Sequence, residues 1–142
     1  MDTTRYILWL GEQTLSGIRY SQFVALAIGA AFCVTAIFNN PYKKRPINIQ
    51  AMLLWVPILL PVVILMVGGI YRHDYAQNPG TPSRWPQYVV ISLFLVHLPI
   101  AGYFLYSMPR FRWFASSVSL AQIYLSYWAA FVASMSVTGD WL

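Results

Sequence analysis

The chain is expected to be an all-α polytopic membrane protein, with four transmembrane helices behind a short N-terminal amphipathic helix at the interface. Three observations carry that expectation. Ala51 to Ile70 is an unbroken apolar run whose only side-chain hydrogen-bonding group is the Trp55 indole. At about 1.5 Å per residue a helix of that length crosses the roughly 30 Å of bilayer hydrocarbon. Charged residues are 9% of the chain, against about 25% in soluble domains. Aromatics reach 17%, with ten Tyr and six Trp, residues that favour the membrane–water boundary.

The N-terminal segment, residues 3–19, is too polar to span. Read at helical spacing, Arg5, Glu12, Ser16 and Arg19 take one side and Leu8, Leu15 and Ile18 the other. A helix of that kind lies in the headgroup region, here with Trp9 as its anchor. Gly11 and Gly17 weaken it. Its short apolar stretch ends at Gly11, Glu12 and Gln13, which does not fit a cleavable signal.

The first span is placed at 20–38. Ser21, Ala25, Gly29 and Cys33 recur every four residues, and small side chains at that spacing form a groove for a neighbouring helix. Cys33 is the lone cysteine, so neither an intrachain disulfide nor a thiolate cluster can form. The loop after it carries two prolines and the basic cluster Lys43, Lys44 and Arg45, a positive-inside determinant.

The second span is placed at 49–71. Pro57 and Pro61 leave the carbonyls of Leu53 and Pro57 without their usual donors. Neighbouring helices, water or local rewinding must satisfy them, and a kink is expected. The second loop follows, with a turn at Asn78, Pro79 and Gly80. The adjacent pair His73 and Asp74 reads as solvated loop, not as a metal site.

The third span is placed at 87–108, and His97 is the ionisable group well inside it, tyrosines aside. An imidazole facing lipid is costly, so the ring should point at protein. It is either hydrogen-bonded within the bundle, with the Leu95 carbonyl freed by Pro99 as one acceptor, or a contact to a haem, a chlorophyll-type pigment or a quinone. A bis-His site would need a second histidine from a partner.

The short loop at 108–112 makes spans three and four antiparallel neighbours. The fourth span is placed at 113–137 and is two-sided. Ala115, Ser119, Gln122, Ser126, Ala129 and Ala133 form a small, weakly polar stripe that reads as a packing seam. Leu120, Tyr124, Tyr127, Trp128 and Phe131 form the other face. Tyr124 and Trp128 lie too deep for an interfacial belt alone, and would pack on a further subunit or line a site for a flat cofactor or lipid tail.

Net charge is +5, and no polar segment interleaves bases with aromatics as a nucleic-acid surface does. Loops one and three carry five Lys or Arg, and the N-terminal arm, loop two and tail carry four. The tight cluster tips the orientation toward both termini outside the cytoplasm. Asp, Glu, Lys and Arg are missing from all four placed spans, and no nucleophile–base pair or phosphate loop is evident. The expected function is therefore a small non-catalytic subunit or accessory protein of a larger membrane complex, one form of which is an electron-transfer assembly. Its partners would be the bilayer and other integral subunits. The alternative is a homo-oligomeric channel or small transporter whose path Ser119, Gln122 and Ser126 line.

Overall fold

The computed structural model describes residues 2–39, 41–43, 49–73 and 80–140. Lys44 and Arg45 of the basic cluster, Asp74, the turn at Asn78 and Pro79, and the terminal Trp141 lie outside these. The described residues form seven α-helices: α1 (Thr3–Tyr20), α2 (Gln22–Phe38), α3 (Ile49–Leu53), α4 (Leu59–Ile70), α5 (Trp85–Leu95), α6 (His97–Ser107) and α7 (Arg112–Thr138). Three stretches, Ile49–Ile70, Trp85–Ser107 and Pro109–Thr138, are long and apolar enough to cross a membrane. The bent pair α1 and α2 makes a fourth if counted as one span. The architecture is compatible with a helical membrane protein.

The long helix α7 is the axis of the bundle, and α1, α2, α4, α5 and α6 all pack on it. Its small stripe makes this possible: Ala115, Ala129, Ala133 and Ser126 are fully buried, and Ser119 and Gln122 nearly so. Small side chains let neighbouring backbones approach. At Gly68 an added Cβ would lie 2.7 Å from the Ala133 Cβ and 2.8 Å from its Cα. The axis ends at Gly139, whose φ of 75° supplies the left-handed cap.

Two hydrogen bonds define the register between α7 and the second span. Gln122 Nε2 donates to the Leu54 carbonyl at 2.8 Å, and Ser136 Oγ donates to the Gly68 carbonyl at 2.8 Å. Each joins residues 68 apart. The two spans therefore run parallel in one register, which places Pro57 level with Leu125 and beside Ser126. Ile49–Ile70 stays one span across its prolines. It rewinds through a 3-10 turn at Val56–Ile58 between α3 and α4.

The N-terminal segment, expected as an arm at the interface, packs into the bundle. Its inner face, Leu10, Thr14 and Gly17, is buried against α4 and α7. Leu8 and Leu15 do not face away from the charged side. At about 100° per residue they lie roughly 60–80° from Arg5, and both are exposed. Going along the chain, Tyr6 is bonded to Ser136, Gly17 sits under Trp128, Ser21 is bonded to Tyr124, and Thr35 is bonded to Ser117. The partners on α7 thus fall in order toward its start. Tyr6 to Thr35 would measure roughly 43 Å as one straight helix, while Ser136 to Ser117 is roughly 28 Å. The 86° bend at Ser21 absorbs the surplus.

Candidate functional site

The core divides into two apolar clusters with a polar layer between them. One cluster is built on Ala51, Leu54, Phe104, Met108, Phe114, Ala115 and Val118, the other on Ile64, Val90, Ala129, Ala130 and Ala133. In the layer between them stand Gln122, Ser126, Pro57 and His97.

This layer follows from two helix interruptions that meet at one depth. Pro57 breaks the second span. The third span breaks at Val96, between α5 and α6 and three residues before Pro99. That break turns His97 inward, where it is 1% exposed. The Pro57 carbonyl faces the ring without reaching hydrogen-bond geometry. Neither ring nitrogen has a partner, and the expected bond to the Leu95 carbonyl is not made. Ser126 Oγ, at 0% exposure, is also without a partner. Gln122 does find one, because the rewound backbone at Leu54 presents its carbonyl sideways.

An apolar groove of about 620 Å³ opens on the outside of spans two and three. Pro57, Leu60, Val63, Pro99, Tyr103 and Phe104 are among its lining residues, and His97 is not. The imidazole sits behind the wall that Pro57 and Pro99 form. Both its nitrogens are sealed, so a haem, pigment or quinone reaches them only if that wall opens.

The other expected cofactor contacts lie elsewhere. The Tyr124 hydroxyl is bonded to Ser21 Oγ, and Trp128 packs over Gly17. Both are taken up in holding α1 and the start of α2, and the structure does not bring them to His97 as one site. The expected seam on α7 is internal throughout: Ser119, Gln122 and Ser126 all face the chain's own helices. Of the small residues expected to form a groove on α2, Ala25 is half-buried, while Gly29 and Cys33 face outward. An added Cβ at Gly29 would meet nothing within 4 Å. That small-residue groove is open to a helix from outside the chain. Among the described residues no group of three His, Cys, Asp or Glu could hold a metal.

Two features escape the sequence expectations. Tyr42 donates to the Ala51 carbonyl at 2.6 Å and accepts from Trp55 Nε1 at 2.6 Å, clamping the start of span two. More consequential, the exposed side of α1 is the row Arg5, Leu8, Glu12, Leu15 and Arg19. Its alternating spacing of three and four is that of a helix seam, with Leu8 and Leu15 on the charged side and not on the opposite face. No hydrogen bond or ion pair engages the Glu12 carboxylate or the Arg19 guanidinium among the described residues. No protein-family model, curated protein or solved structure matches this chain.

Proposed function

We propose that this chain is a small non-catalytic integral membrane subunit of a larger membrane assembly. In this reading it has four spans, the bent α1–α2 pair being the first, and both termini on the non-cytoplasmic side. The observation that carries it is the placement of Glu12 and Arg19. The boundary at one end of the bundle is marked by Tyr6, Tyr71, Arg72 and Trp85, with Arg72 over the Tyr6 ring and Tyr71 edge-on to Trp85. From Tyr6 the segment descends past Trp128 to Tyr124, roughly 18 Å below Ser136 along α7. In this reading Arg19 stands near mid-bilayer and Glu12 about a quarter of the way in. An arginine at the bilayer centre costs about 2.5–3.5 kcal/mol to hold against lipid, and charged groups inside the membrane meet a polar partner. Nothing within the described residues supplies one.

The outward small-residue groove at Gly29 and Cys33 supports the same reading. The homo-oligomeric channel is less favoured, because its lining row Ser119, Gln122 and Ser126 is sealed inside one chain. Native mass spectrometry after mild extraction from the source membrane tests the proposal. The expected result is a mixed-subunit assembly, and a chain that runs only as a monomer overturns it.

A further inference from the structure

We infer that the apolar groove outside spans two and three holds an acyl chain of an anionic phospholipid, whose phosphate meets Arg110 and Arg112. The inference goes beyond the subunit reading and does not depend on it.

The groove runs from Leu53 to Val63 on one span and from Pro99 to Phe104 on the other. Leu53 to Val63 is roughly 15 Å of helix, half the thickness of the bilayer hydrocarbon. The groove thus has the reach of one leaflet, and Leu53 places its mouth four residues inside the start of α3 at Ile49. Among the described residues that line it, none is Gly, Ala, Ser or Thr. A transmembrane helix docks where small residues let backbones approach. Large side chains around a hollow of about 620 Å³ suit a flexible hydrocarbon chain instead.

Charge selects the kind of lipid. From the groove, exposed Tyr103 and Tyr106 lead along one side of α6 toward its end at Ser107. Neither hydroxyl has a partner among the described residues. A ring with an apolar body and a polar tip suits the level of a lipid's ester and phosphate oxygens. Just beyond stand Arg110 and Arg112, both exposed. No hydrogen bond or ion pair engages either guanidinium among the described residues. The chain's acids, Asp2, Glu12, Asp74 and Asp140, all fall in the N-terminal segment, loop two or the tail. Loop one, at the same end as Arg110, adds Lys43, Lys44 and Arg45 in sequence. This end of the bundle therefore lacks an anion of its own, and basic sites between helix ends bind acidic headgroups. A zwitterionic headgroup brings its own cation and answers the arginines less well.

The test is native mass spectrometry of the purified full chain, in detergent carrying equal amounts of phosphatidylglycerol and phosphatidylcholine. The wild type should retain phosphatidylglycerol over phosphatidylcholine by about 25-fold, the scale of two bases at about fivefold each. Arg110→Gln and Arg112→Gln should each lower that preference about fivefold. Arg84→Gln, at the other end of span three, should leave it unchanged. Val63→Trp fills the groove and should release the lipid, whereas Val62→Trp, exposed but outside the groove, should not. Equal retention of the two lipids by the wild type overturns the inference. So does a preference that both arginine variants keep, or a lipid that Val63→Trp still holds. If Val63→Trp does not fold, Val56→Trp in the same groove decides. On a Cys33→Ser background, cross-linking of Val63→Cys to another subunit in the source membrane would show a helix in the groove and overturn the inference as well. A chain that runs only as a monomer sinks the subunit proposal and leaves this one standing.

Discussion

At the scale of single residues, the polar layer separates a bond that holds the bundle from groups that do not. Gln122 gives the Leu54 carbonyl its side-chain donor. Gln122→Leu leaves that buried carbonyl short, and the expected cost is about 1–3 kcal/mol, read as a lower thermal midpoint in detergent. His97 behaves in the opposite way. Both its nitrogens are buried without partners, and an apolar side chain of similar volume removes that penalty. His97→Leu should therefore leave the thermal midpoint unchanged or raise it. A lost chromophore or quinone from the purified assembly would instead show that the wall at Pro57 and Pro99 opens to a cofactor.

At the scale of elements, the rewound turn at Val56–Ile58 and the Gln122 bond are one device. Pro57 cannot donate to Leu53, and the turn that follows has Ile58 N–H bonded to the Trp55 carbonyl at 3.1 Å. This leaves the Leu54 carbonyl for Gln122. Pro57→Ala allows a regular helix, in which Ile58 N–H reaches Leu54. Gln122→Leu should then cost less in that background, with a coupling of at least about 0.5 kcal/mol in a double-mutant cycle. Additive effects would show that the two are independent. Beside the Ser136 bond, the contact of α4 with α7 is set by size. At Gly68 the neighbouring atoms include the Ala133 backbone, so Gly68→Ala forces a shift expected to cost about 1–3 kcal/mol, measured by the same melting assay.

For the molecule as a whole, α1 is part of the bundle and closes its side. Gly17→Leu wedges α1 away from Trp128 and should open residues 3–20 to added protease while lowering the thermal midpoint. An arm resting only at the interface would give no such change. Much of the architecture was legible before any coordinates. The apolar runs placed spans two to four to within a few residues, because twenty apolar side chains have no other way to escape water than to enter lipid or a large core. The seam of Ala115, Ser119, Gln122 and Ser126 was legible too, since small polar residues at helical spacing are what close packing requires.

The sequence by itself determined that the chain is helical, how its long apolar helices divide, that His97 turns inward, and which face of the last helix packs. These are local properties of hydrophobic periodicity and proline placement. Only the tertiary structure decided where α1 lies, because Leu10, Thr14 and Gly17 do not read as an inner face until Trp128 and Ile7 are seen packed against glycines. It also decided that span two and the last helix share one parallel register, so that Pro57, His97 and Ser126 come to one depth. Residues far apart in the chain reach a common level only through contacts, and a one-dimensional pattern carries no depth.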